Sequence, residues 1–283
     1  MEQSMQTTVT MVLLVMLAIG AVFGLVLAFV NRKFSVEINP LIHLVEDVLP
    51  KGQCGACGYA GCMAYAEAVV LNDDVPPNLC VPGKAPVADV VAELTGKSAP
   101  AVAPQIAHIK CAGAVGTAVA KYDYLGVNDC VAANILQGGQ KNCQYGCLGF
   151  GTCVKNCPFN ALSMTPAGLP YVDPNRCTGC GRCASLCPKK VIDIVLVGAK
   201  VTVNCNSKDK GAVAKKNCAA ACIGCGLCVK NCAHGAVKLA NSLAVVDAAI
   251  CMEKCTDPTC LAKCPSKAIE TVLKSVAPNK VAV

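Results

Sequence analysis

The chain contains no tryptophan, and aromatic residues make up only 4% of its 283 positions. It therefore has no means of building a large aromatic core. No G-x-G-x-x-G follows a strand pattern, and no G-x-x-x-x-G-K-[ST] occurs. Nothing here would bind nicotinamide or flavin, and no nucleophile–base–acid set stands out. Long runs of like charge are also missing. What is abundant is cysteine, with 24 residues. A chain of this length is not a small secreted scaffold, so disulfides explain that count poorly.

The cysteines are patterned. Cys177, Cys180, Cys183 and Cys187, followed by Pro188, give C-x2-C-x2-C-x3-C-P. In this ferredoxin run three cysteines hold one [4Fe–4S] cluster and the fourth ligates its neighbour. Upstream lies Cys143-x3-Cys147-x5-Cys153-x3-Cys157-Pro158. The crossed pattern of two-cluster ferredoxins predicts Cys143, Cys147, Cys153 and Cys187 on one cluster. It predicts Cys157, Cys177, Cys180 and Cys183 on the other. The pattern then repeats. Cys222-x2-Cys225-x2-Cys228-x3-Cys232 precedes Cys251-x3-Cys255-x4-Cys260-x3-Cys264-Pro265. The same crossing groups Cys222, Cys225, Cys228 and Cys264, and then Cys232, Cys251, Cys255 and Cys260. Ala233 stands where proline usually sits. After each of the four runs the sequence reads as a short helix leading into a strand.

Nearer the N-terminus, Cys54, Cys57, Cys62 and Cys80 give C-x2-C-x4-C-x17-C. Glycines in this stretch let the backbone wrap a metal centre and turn its N–H groups toward sulfur. Short helices are expected over Met63–Leu71 and Ala85–Gly96. Zinc also accepts four cysteines, so a structural zinc protein stays open as an alternative. Four cysteines remain, Cys111, Cys130, Cys205 and Cys218. They are either packed thiols or the ligands of a sixth cluster beyond the five that the motifs predict. Cys218 also competes with Cys222 at C-x3-C spacing. His43 and His234 read as packing or surface residues.

The formal charge of +7 counts thiols as neutral. A four-thiolate [4Fe–4S] centre carries about −2, so six would bring the protein to about −5. Nucleic-acid binding does not follow from the basic composition. Lys189, Lys190, Lys215, Lys216, Lys230, Lys254, Lys263 and Lys267 read as a solvated face or as a patch that docks an acidic electron carrier.

Thr8–Val30 carries no charge and, as a helix, spans about 35 Å, enough to cross a bilayer. Arg32 and Lys33 follow, which predicts a single-pass helix with the cysteine-rich part on the cytoplasmic side of the cell (inner) membrane. Gly20 and Gly24 either allow a partner helix to approach or are ordinary membrane-helix glycines. The expected fold class is α+β: one N-terminal transmembrane helix, a small helical four-cysteine [4Fe–4S] domain and tandem two-cluster ferredoxin-like modules. The expected boundaries are an anchor at 1–33, the small domain at 34–96, a linker at 97–106, and modules at 107–204 and 205–283.

This order of motifs resembles the B subunit of Rnf complexes, which are membrane-bound ferredoxin:NAD+ oxidoreductases coupled to Na+ or H+ transport. Three stretches carry the resemblance: LPKGQCGACGYAGC from Leu49, NCQYGCLGFGTCVKNCPF from Asn142, and CIGCGLCVKNC from Cys222. It implies a subunit that accepts electrons from soluble reduced ferredoxin and passes them to other Rnf membrane subunits. It also implies that NAD+ is reduced on a separate, flavin-bearing subunit. The electron-transfer subunit of a hydrogenase or formate enzyme is the competing expectation.

Overall fold

The computed structural model describes residues 2–34, 39–101 and 103–271. The chain folds as two units, divided after Ile42. The first contains α1 (Glu2–Phe34). Within it Thr8–Phe34 is long and apolar enough to cross a membrane. Side chains such as Leu17, Leu25 and Phe29 stand exposed along it. A helix apolar all round needs an apolar solvent, and lipid supplies one. Residues 35–38, part of the stretch expected to lead to Val48, lie outside the described residues.

Helix α2 (Pro40–Val48) is followed by the Cys54–Cys80 region, which contains α3 (Cys62–Leu71) and precedes α4 (Lys84–Thr95). Tyr65, Val69 and Val91 are fully buried here. Lys97 donates to the carbonyls of Val69, Asn72 and Val75 at 2.7, 2.7 and 3.0 Å, closing the C-terminal end of α3. Asn78 reaches the Pro100 carbonyl at 2.9 Å. The first residues of the expected linker are thus folded onto the small helical domain.

Two modules of like plan follow. The first runs β1 (Gln105–Ile109), α5 (Cys130–Ile135), α6 (Thr152–Lys155), β2 (Leu162–Met164), β3 (Pro170–Val172), α7 (Arg182–Ser185) and β4 (Ile192–Leu196). Its outer strands β1 and β4 pair antiparallel, as do the inner β2 and β3. The second runs β5 (Thr202–Val203), α8 (Gly211–Asn217), α9 (Leu227–Lys230), β6 (Val237–Ala240), β7 (Leu243–Val246), α10 (Ala248–Lys254), α11 (Thr259–Ala262) and β8 (Ile269–Glu270). Again the outer pair, β5 and β8, and the inner pair, β6 and β7, are antiparallel. The four cysteine-run tails differ from the expected short helix: each one-turn helix lies inside its run, ahead of the last cysteine, and the tail is a turn leading into a strand. Strands β1 and β5 begin at 105 and 202, slightly ahead of the expected module starts. Residues 272–283 lie outside the described residues.

Glycines at the cysteine runs are fixed by shape. Gly179 has φ +72°, and a Cβ there would come 2.5 Å from the Gln105 carbonyl oxygen. Gly224, its counterpart in the second module, has φ +64° with the Ser242 carbonyl oxygen 2.7 Å from an added Cβ. Only glycine accepts both the backbone and the approach.

Candidate iron–sulfur cluster sites

Four cavities lie in the His43–Val283 unit, and four cysteines line each. Cys54, Cys57, Cys62 and Cys80 line the first. Cys157, Cys177, Cys180 and Cys183 line the second. These two sets are the ones the spacings predict. Cys130, Cys147, Cys153 and Cys187 line the third. Cys111, Cys143, Cys205 and Cys218 line the fourth.

The third and fourth sets differ from the expected grouping. Cys143 stands apart from Cys147, Cys153 and Cys187, and Cys130 takes its place. Local hydrogen bonding explains both moves. Asp129 caps α5, accepting from the Val131 and Ala132 N–H groups at 2.8 and 3.0 Å. Thr152, at the start of α6, donates its hydroxyl to Asp129 at 2.8 Å and accepts the Cys130 N–H at 2.7 Å. Cys130 is thereby fixed against the helix that carries Cys153. Cys143 is drawn the other way. Lys141 pairs with Ala120 in an antiparallel bridge, and the Asn142 N–H donates to Val119 at 2.8 Å. The same segment continues to the second module, where Ala118 bridges Cys218 and Ala112 donates to Asn204 at 3.0 Å. Asp129 before Cys130 was the legible signal for this helix start.

The last two groups sit in the second module. Cys222, Cys225 and Cys228 interact electrostatically, as do Cys232, Cys251, Cys255 and Cys260. Cys264 packs partly buried against the same core. Lys200 donates to the Cys255 carbonyl.

Backbone N–H groups point at the sulfurs. Cys111 accepts from Cys147 at 3.3 Å, Cys157 from Ala161 at 3.3 Å, and Cys177 from Ala107 at 3.4 Å. Such donors favour the thiolate that metals bind. Burial opposes them. It pushes the Cys147 and Cys153 thiols up to about 12, and Cys80, Cys183, Cys205 and Cys260 up to about 11. Metal loading must therefore displace protons from buried sulfur. At Cys232 burial also pushes upward, but N–H groups from His234 to Val237 outweigh it and lower the pKa. The donor set suits an iron–sulfur cubane. Four thiols wall a cavity, backbone donors reach sulfur, and glycine leaves room beside it. Gly113, for example, would bring a Cβ to 3.5 Å from both the Cys111 and Cys218 sulfurs. A single zinc would instead draw its four sulfurs in to Zn–S bonds of about 2.3 Å.

Neighbouring sites interact in sequence. The Cys54 and Cys180 thiols shift one another's pKa in opposite directions, between the first and the second. A Cβ on Gly52 would meet the Phe159 ring at 2.8 Å at the same junction. Cys153 and Cys183 interact between the second and third. The Cys147 N–H on Cys111 joins the third to the fourth. The Cys222 backbone N–H lowers the Cys205 pKa against the effect of burial, between the fourth and the fifth. Cys228 and Cys260 interact between the fifth and sixth.

A family model described as a putative Fe-S cluster matches residues 49–82, and one described as a 4Fe-4S dicluster domain matches residues 142–191. The chain is 61% identical over 94% of its length to the B subunit of the proton-translocating ferredoxin:NAD(+) oxidoreductase complex of Clostridium ljungdahlii, covering 93% of that protein. It is 39% identical over 90% of its length to the B subunit of the ion-translocating oxidoreductase complex of Methanosarcina acetivorans, covering 96% of it. The B subunit of the Na(+)-translocating ferredoxin:NAD(+) oxidoreductase complex of Acetobacterium woodii is 38% identical over 88% of the chain and 74% of that relative. The chain belongs to the B subunit family of Rnf complexes. As an Rnf B subunit it is an electron-transfer component of an ion-translocating oxidoreductase and carries several [4Fe–4S] clusters. Its apolar α1 fits membrane anchoring in such a complex. The two family models leave the second module, where eight cysteines from Cys222 to Cys264 lie, outside their matches.

Proposed function

We propose that this subunit takes single electrons from reduced ferredoxin and relays them to the membrane and flavin subunits of its complex. There NAD+ is reduced and Na+ or H+ is moved. The ligand sets are the six groups above, with Cys264 completing Cys222, Cys225 and Cys228. When bound, each cluster supplies a one-electron carrier. The chain's own residues hold it by thiolate, aim N–H groups at its sulfurs and keep water out. The observation that carries this reading is the succession of electrostatically interacting cysteines that links adjacent groups, from Cys54 and Cys180 to Cys228 and Cys260.

Electrons enter at the second module. Cys225 is the one exposed cysteine among the 24. Exposed Leu227, Leu239 and Val245 belong to the same α9–β6–β7 segment, with Lys230 and Lys238 beside them in sequence. That combination suits an acidic carrier docking over an apolar centre. The relay then ends at the Cys54–Cys80 site, the one nearest α1 in sequence. Arg32 and Lys33 in the last turn of α1 favour a cytoplasmic location for everything that follows.

Stopped-flow mixing of the anaerobic complex with reduced ferredoxin tests this. Fast bleaching of cluster absorption is expected. Lys230→Glu with Lys238→Glu should slow it by about tenfold at low salt and by less at high salt. Reduction that ignores both charge reversal and salt would contradict docking at this face. A nickel or molybdenum subunit co-purifying in place of flavin subunits would favour the hydrogenase or formate reading instead.

A further inference from the structure

The fourth site is unlike the others. None of its four cysteines lies in a C-x2-C run, and Cys218 comes from α8's C-terminal cap in the second module while Cys111 and Cys143 come from the first. Its wall also contains Lys141, 7% exposed, with its Nζ donating to the Gly113 carbonyl at 2.7 Å. Among the described residues Lys141 is the one buried lysine or arginine. The cavities of the second and third sites have Arg182 and Lys189 in their walls, and neither is buried. Gly113, whose carbonyl holds the ammonium, lies against the Cys111 and Cys218 sulfurs. The cation is therefore fixed beside the cysteines and screened little by water.

Resting on the relay reading above, we infer that Cys111, Cys143, Cys205 and Cys218 hold the cluster that joins the two ferredoxin modules, and that Lys141 positions a buried positive charge which sets this centre above its neighbours in reduction potential. A centre with four thiolates is anionic, and adding an electron makes it more so. A buried cation nearby favours the reduced form. Potential follows local charge and hydrogen bonding, and this site carries both. The step itself is one electron leaving the fifth site and arriving at the fourth, with no bond made or broken and no co-reactant. The Cys205–Cys222 pair, which interacts electrostatically, and the Cys147 N–H on Cys111 lie on its two sides. The site collects electrons from the second module and hands them to the first.

The test uses the anaerobically purified complex, with iron analysis, EPR-monitored redox titration and stopped-flow reduction. Cys218→Ser should lose about four irons, remove one titrating signal and split the single fast reduction phase into fast and slow parts. Full iron content, or an unsplit fast phase, overturns the bridging site while leaving the relay reading intact. Lys141→Gln should keep its iron and shift one midpoint downward, with the other signals unmoved. The shift should be absent in the Cys218→Ser background. Lys141→Arg keeps the charge and should keep the midpoint. If Lys141→Gln loses iron, Lys141→Arg decides: a midpoint held at the wild-type value supports the role, and a lowered one overturns it. Unmoved midpoints in iron-replete Lys141→Gln also overturn it. A wild-type complex in which this chain holds no clusters sinks the relay reading itself.

Discussion

Single residues decide which cysteines meet. Cys143 looks like the first ligand of a ferredoxin run, yet it faces Cys111, Cys205 and Cys218. Cys143→Ser is therefore expected to remove the same EPR signal as Cys218→Ser, and Cys130→Ser the same signal as Cys153→Ser. If Cys143→Ser removed the Cys153 signal instead, the regrouping would be wrong. Spacing groups the cysteines within each motif but could not orient Cys143, because its direction depends on Ala120, Val119 and Gly113, residues far upstream in the chain. His108 is a second case in which tertiary context rules. It sits on β1, hydrogen-bonded toward Val203 and Asn204, with Asp193 and the Lys110–Asp193 ion pair beside it. Burial holds its pKa down to about 4. The unfolded chain takes up this proton near pH 6.5, while the folded chain does so only near 4. Stability from the neutral imidazole is thus complete above about pH 6.5 and falls as pH drops toward 4, by up to about 1.4 kcal/mol per pH unit. Thermal melts of His108→Gln between about pH 6.5 and 5 should show a shallower decline than wild type. An equal or steeper decline would contradict the assignment.

At the scale of elements, each cysteine run is a turn, a one-turn helix and a strand, and the glycines make the turn possible. Gly179→Ala and Gly224→Ala each force a side chain into a left-handed backbone and against a carbonyl of the neighbouring β-segment. A loss of at least about 1–2 kcal/mol is expected at each, with lower iron retention after gel filtration. Unchanged melting and iron content would show that the turns relax freely. The strand after each run was legible in the sequence because apolar residues follow the last cysteine, but the helix was expected after that cysteine and lies before it. The pairing of β1 with β4 and of β5 with β8 was not. Those strands come from opposite ends of each module, and nothing in so short a strand names its distant partner.

At the scale of the molecule, the anchor and the cysteine-bearing unit are separate in their physics. Helix α1 meets an apolar solvent, whereas the remainder is held by small buried side chains and by metal–thiolate bonds. Deleting residues 2–34 should move the protein from the membrane fraction to the soluble fraction with its iron content unchanged. Loss of iron on deletion would mean that the anchor takes part in building the sites. The absence of tryptophan and the 4% aromatic content now have a physical reading. Cysteines make up a large part of the buried core of each module, where aromatic side chains would otherwise pack.

The central claim is that all 24 cysteines form six four-thiolate sites in one succession. Iron and acid-labile sulfide analysis of the anaerobically purified chain, read together with its EPR spectrum, tests it most directly. The account predicts about twenty-four irons and about as many sulfides per chain, with signals from magnetically coupled neighbours on reduction. About twenty irons or fewer, or zinc in place of iron, would contradict it.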